Sequence, residues 1–180
     1  MPEELKDEGQ SLEAFMLLHR TRDLLFRCQD RTAAKFGLTA EQYSVLLAMK
    51  YLDDPVRATD IGRWMERKVN SVSMIVDRMV RAGLVDRMRD LPDRRAVRVV
   101  FTSKGKRALE LATPEVWRLI EEIFSSLPRE EKRNLIKLLV TLRDRALKHL
   151  NPGTDVRAIA TYGADDASRL LKRMRRYTPQ

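Results

Sequence analysis

Apolar positions recur every three to four residues over 11–36. Leu12, Phe15, Met16, His19, Asp23 and Phe26 fall along one stripe, and Leu17, Leu18, Leu24 and Leu25 widen the apolar surface around it. The period predicts a helix, and a surface this apolar predicts packing on two sides. Gly37 supplies the stop. Thr39 with Gln42 three residues on then reads as a capping box opening a second helix, whose inner face is set by Tyr43, Leu46, Leu47 and Lys50/Tyr51. The turn Leu52-Asp53-Asp54-Pro55 closes that helix, and a short helix capped by Thr59 carries Ile61, Trp64 and Met65. After Lys68-Val69-Asn70 a further helix turns Val72, Ile75, Val76 and Met79 inward and ends at Ala82-Gly83. Its other face carries Asn70, Ser71, Ser73, Met74, Asp77 and Arg78, a polar surface with few acids.

The period changes over 84–102. Leu84 to Arg89 and Ala96 to Phe101 are rich in strand formers, and Asp90-Leu91-Pro92-Asp93-Arg94-Arg95 supplies a turn, which together predict a hairpin studded with arginine. Thr102 caps a long helical stretch toward Ser126. Pro114 inside it predicts either a kink or a new helix with Thr113 as its cap. A last helix runs from Pro128 to about His149 with Leu135, Leu138, Leu139, Leu142 and Ala146 on one face, and Asn151-Pro152-Gly153 stops it. Beyond it, 164–176 has acids at its start and bases at its end, the order that suits a short helix dipole.

Charge sharpens this outline. The formal net charge of +9 is unevenly placed: −3 over residues 1–56, +7 over 57–106, +2 over 107–151 and +3 over 152–180. An excess concentrated in the helix–helix–hairpin stretch points to a polyanionic partner; a charge serving solubility alone would be spread more evenly. Cys28 is the one cysteine, so no internal disulfide framework exists and a reducing compartment is expected. The first residues are acidic and polar, unlike a signal peptide, and no apolar run is long enough to span a membrane. A cytoplasmic protein without membrane association is expected.

A short helix, a turn, a second helix with a polar outer face and then a basic hairpin is the order of a winged helix-turn-helix. In that arrangement the second helix fits the major groove of duplex DNA, and arginines at the hairpin tip suit the narrow minor groove. The fold class expected is mainly α with a small β-hairpin wing. The residues also resemble the MarR-type transcriptional regulators. Ile61-Gly62-Arg63-Trp64-Met65 through Val72 to Val85 is similar to that family's helix-turn-helix, and Asp93-Arg94-Arg95 through Gly105 to its wing and following helix start. Leu38 to Tyr43 and Leu127 to Glu131 match the starts of its second and last helices. The resemblance covers roughly 11–150 and implies a homodimer interlocked by the first helix and the last two, reading a pseudo-palindromic operator. It also implies room for a small-molecule effector between the dimer helices and the winged region. The domains expected are a dimerisation helix over 1–36, the winged helix-turn-helix over 37–105, further dimerisation helices over 106–151, and a basic extension over 152–180.

Candidate DNA contacts follow. Lys68, Asn70, Ser71 and Ser73 lie at the start of the recognition helix, although Asn70 or Ser71 would also serve as a plain N-cap. Met74 departs from the arginine or polar residue common in the family, and either touches a thymine methyl or simply lessens base readout. Arg78 reaches either a phosphate or an acid, Asp77 or Asp86. The resemblance pairs Asp93 with Arg95 to shape the wing turn, leaving Arg94 to point into the minor groove. Arg87, Arg89 and Arg98 suit phosphates or a solvated strand face. Cys28 beside Arg27 and Arg31 fits a redox sensor less well than a small core residue. His19 and His149 have no companions at metal-ligand spacing, and no phosphate-binding, dinucleotide or nucleophile-elbow motif occurs. No catalysis, cofactor or metal is expected. A sequence-neutral architectural DNA-binding protein and a protein-interaction module built on the same fold remain as alternatives.

Overall fold

The computed structural model of the chain describes residues 3–89, 97–153, 155, 169 and 172. Helix α1 (Glu3–Ala34) is followed by α2 (Ala40–Leu52), strand β1 (Val56–Arg57), α3 (Ala58–Trp64), α4 (Val69–Arg81), β2 (Val85–Arg89), β3 (Val97–Phe101), α5 (Ser103–Phe124) and α6 (Arg129–Leu150). The mainly helical chain with a small antiparallel sheet is the winged helix-turn-helix architecture expected from the sequence.

Helix α2 is the hub. Its start is set by the expected capping box: Gln42 N–H donates to the Thr39 hydroxyl, and Thr39 N–H donates to the Gln42 side chain at 2.9 Å. Asp30 on α1 accepts the Ala40 N–H at 2.8 Å and ties the two helices together there. Tyr43 and Leu46 face inward as the pattern predicts, with Leu47, Lys50 and Tyr51 half-buried, but Ala40, Val45, Ala48 and Met49 are buried as well. The helix is therefore surrounded, packing on α1, α3, α4 and α5. Each fully buried Leu, Met or Ile of this core contributes about 1.5–3 kcal/mol of burial. Tyr43 has no hydrogen bond on its buried hydroxyl. Burial pushes its phenol above the ordinary value of 10.0, an effect offset in part by the nearby Thr113 and Trp117 side chains.

Several local expectations are corrected. Helix α1 begins at Glu3, well before residue 11. The short helix begins at Ala58 with Arg57 in the N-cap position and no side-chain cap, so Thr59 lies inside its first turn and does not cap it. The chain before it forms β1, which adds a third strand: the order is β1-β3-β2, with Val56 opposite Val99 and Arg57 opposite Arg98. Pro114 does not start a new helix. Helix α5 is continuous through it, and Thr113, instead of capping, donates its hydroxyl to the Leu109 carbonyl at 2.7 Å. The helix expected over 164–176 lies outside the described residues.

The wing is fastened to the helices at its base. Strand β2 pairs with β3 from Val85 opposite Phe101 to Arg89 opposite Val97. Thr102 accepts the Gly105 N–H, as an N-cap should, and its hydroxyl lies 2.8 Å from the Gly83 carbonyl and 2.9 Å from that of Leu84. At Gly105 the backbones of α5 and Leu84 are so close that any Cβ would overlap the Leu84 carbonyl oxygen. On the other side, Asp54 accepts the Phe101 N–H at 3.2 Å, and Arg98 donates to the Pro55 carbonyl at 3.3 Å.

Two measurements check this packing. Gly105→Ala should cost about 3 kcal/mol in denaturant unfolding, since the clash is with backbone, whereas Gly9→Ala on an open face of α1 should leave stability unchanged or slightly raised. For Tyr43, whose folded-state pKa is raised, the contribution to stability is complete below the unfolded value near 10.0 and is lost as pH rises through the folded one. Tyr43→Phe should therefore flatten the alkaline limb of a stability–pH curve, and at neutral pH should lie within about 1 kcal/mol of the parent, because the hydroxyl makes no bond to lose.

Candidate nucleic-acid interface

The helix-turn-helix is built by a tight reversal. Arg67 N–H donates to the Gly62 carbonyl at 2.8 Å and Met65 N–H to that of Ile61 at 2.9 Å, while Glu66 takes a left-handed φ of 52° that redirects the chain into α4. Gly62 belongs here for a steric reason: a Cβ would stand 3.0 Å from the Arg67 carbonyl oxygen. Val72, Ile75, Val76 and Met79 are all buried beneath α4. That fixes the phase of the helix, so Asn70, Met74, Asp77, Arg78 and Arg81 form its outward stripe.

Each expected contact residue can now be located. Lys68 occupies the N-cap position with no side-chain cap, so neither Asn70 nor Ser71 caps the helix; both are exposed within its first turn. Ser73 is half-buried at the flank, and Met74 is 66 % exposed at the centre of the stripe. Arg78 pairs with neither Asp77 nor Asp86: its terminal nitrogen lies 3.3 Å from Glu41, at the start of α2. Arg87 on β2 makes a 2.7 Å ion pair with Asp77. Arg98 is half-buried and donates one terminal N–H to the Pro55 carbonyl at 3.3 Å. Arg94, Arg95 and Asp93 lie outside the described residues. Cys28 is exposed in the single chain, contrary to a core role.

Two participants were missed by sequence reasoning. Arg81 closes the outward stripe, and its spacing of seven from Met74 was a usable signal. Glu41 had none, because its partners lie 26 and 37 residues away. It accepts from Arg67 at 2.7 Å and from Arg78 at 3.3 Å. Between α4 and β2 lies a shallow recess of about 440 Å³ lined by Met74, Asp77, Arg78, Val80, Arg81 and Arg87. The surface thus offers hydroxyl and amide groups at a helix start, one thioether, and guanidinium groups held by carboxylates. Among the described residues no group of His, Cys, Asp and Glu is arranged to hold a metal, and no helix is long and apolar enough to cross a membrane.

Residues 36–96, which take in α2, β1, α3, α4 and β2, match the description of the MarR family. Over that stretch the chain is similar to the MarR-family regulators. Among curated relatives, the HTH-type transcriptional repressor YetL of Bacillus subtilis (strain 168) is 24% identical over 139 residues, covering 77% of this chain and 83% of the relative. Among solved structures, the organohalide-sensing regulator RdhR-CbdbA1625, in its 2,4-dichlorophenol-bound form, superposes with a TM-score of 0.76 at 24% identity, over 85% of this chain and 90% of that one. A mutant MarR from E. coli complexed with operator DNA gives a TM-score of 0.68 at 21% identity, over 74% of this chain and 96% of that one. These two likenesses establish the fold.

Proposed function

We propose that the chain is a MarR-family regulator that binds duplex DNA as a homodimer at a pseudo-palindromic operator, chiefly as a repressor. The observation that carries the DNA reading is α4 itself: its apolar face is fully buried, its polar stripe is outward, and the region around it holds the basic excess. Lys68, Asn70, Ser71, Ser73, Met74 and Arg78 enter the major groove, Arg87 meets the flanking backbone, and Arg94, on a wing turn shaped by Arg95, reaches the minor groove. A solved neighbour of the same fold is in complex with operator DNA, which supports the docking mode. The repressor assignment takes its support from YetL. A regulator of this kind acts where the duplex is, in the cytoplasm, and needs no catalytic group.

The dimer reading rests on the terminal helices. No residue of α6 is buried, and Leu138, Leu142 and Ile136 are 63%, 54% and 56% exposed. Helix α1 shows Leu12, Phe15, Leu17 and Leu24 likewise. Apolar area on this scale is covered in solution by another chain. Residues 1–36 and 106–151 then form the dimer body, 37–105 the reading head, and 152–180 an extension. A groove of about 600 Å³ between α1, the end of α5 and α6, lined by Leu18, Leu25, Phe26, Phe124, Leu135 and Leu139, is the place for a small apolar effector or for the partner's helices. The phenol-bound neighbour supports an effector of that character.

Selection from a random duplex pool at near-physiological salt tests the DNA reading. Enrichment of an inverted repeat with half-sites about one helical turn apart is expected. Binding without enrichment would favour the architectural alternative, and charge reversal at Arg94 and Arg95 without effect on DNA binding would favour a protein-interaction module. For the dimer, sedimentation should give twice the chain mass, and a Leu138→Lys, Leu142→Lys double substitution should yield monomers with at least ~100-fold weaker operator binding, since each half-site then binds alone.

A further inference from the structure

Two of the outward cations that flank the recognition helix are paired with acids. Glu41 bridges Arg67 and Arg78, and Asp77 holds Arg87, so two of the outward guanidinium groups around α4 carry a carboxylate. We propose that Glu41 and Asp77 are specificity-determining positioning residues, which aim Arg78 and Arg87 at the phosphates of a correctly seated duplex and repel phosphates that arrive elsewhere. The proposal rests on the DNA reading above.

The geometry assigns each partner a part. Arg67 is only 28% exposed and contacts Glu41 at 2.7 Å, so it fixes where that carboxylate stands. Glu41 then offers its second oxygen to Arg78, whose side chain is 55% exposed and would otherwise sweep a wide arc over the stripe. Each contact uses one terminal nitrogen of a group with five N–H donors in a rigid fork, so the fork keeps an edge for phosphate while its plane is set by the acid. Helix capping does not require Glu41, because Thr39 and Gln42 already form the capping box. Asp77 cannot be explained by its own helix either, since its partner lies on β2. A bare arginine binds any phosphate within reach, and that contribution is blind to sequence. An adjacent carboxylate lowers the net charge seen by a misplaced backbone and leaves a well-placed one with an ordered donor.

The test compares Glu41→Gln and Asp77→Asn with the parent, and with Glu121→Gln near the far end of α5 as a control for net charge. Each is titrated, over a range of salt, against the duplex enriched from the pool and against a scrambled duplex of equal length. Glu41→Gln and Asp77→Asn should each bind the scrambled duplex about fivefold more tightly, with a steeper salt dependence, and the enriched one within about twofold of the parent. Discrimination then falls while Glu121→Gln keeps the parental ratio. Thermal unfolding of each variant separates this from a structural role; if Glu41→Gln is unfolded, Asp77→Asn, which replaces one member of an exposed pair, decides. Equal shifts on both duplexes, or none, overturn the proposal and leave the DNA reading standing. A parent protein that binds no duplex overturns both.

Discussion

Around Leu84 the end of the recognition helix, the first residue of the wing and the first turn of α5 are compressed into one backbone contact. The Thr102 hydroxyl and N–H both reach the Leu84 carbonyl, Lys104 reaches the Ala82 carbonyl at 2.8 Å, and the absence of a side chain at Gly105 lets the two backbones touch. Nothing there can stretch without breaking several bonds at once. The direction of α4 relative to α5 is therefore set, and with it the aim of the whole outward stripe. Because α5 continues without interruption past Pro114 to Phe124, the same contact gives the reading head a rigid arm toward the terminal helices.

Two kinds of force divide the work on α4. Burial of Val72, Ile75, Val76 and Met79 decides which face is inward, and it does so strongly. What the outward face presents is decided by weaker, longer-range contacts, the acids of α2 and of α4 itself holding arginines from the turn, the helix and β2. Such exposed pairs add little to stability. Their value lies in geometry.

Legibility in the sequence followed the same division. Local signals read correctly: the Thr39–Gln42 box, the Thr102 cap, the stop near Gly37 and the inward quartet of α4 all depend on residues within a turn or two of each other. Strand β1 was invisible because two residues have no period, and Val56–Arg57 becomes a strand only by pairing with β3, some forty residues on. Thr59 looked like a cap because its chemistry suits one, yet β1 hands the chain to the helix earlier than a cap at Thr59 requires. Pro114 tells the opposite story: it read as a break, but tertiary burial of Ala112, Thr113 and Val116 outweighs one lost backbone bond. For the candidate surface, the identity of the stripe was legible from α4 alone, whereas the pairing of Arg78 was not, since nothing local links position 41 to position 78.

The sheet order β1-β3-β2 also governs how this protein can stick to itself. With β3 in the middle, the long open edge belongs to β2, and its run Val85-Asp86-Arg87-Met88-Arg89 places three charged residues in five, one of them already tied to α4. The opposite edge, β1, is two residues long, too short to template another strand. Neither border invites a foreign strand to add on, so the wing resists the edge-to-edge aggregation to which small exposed sheets are prone.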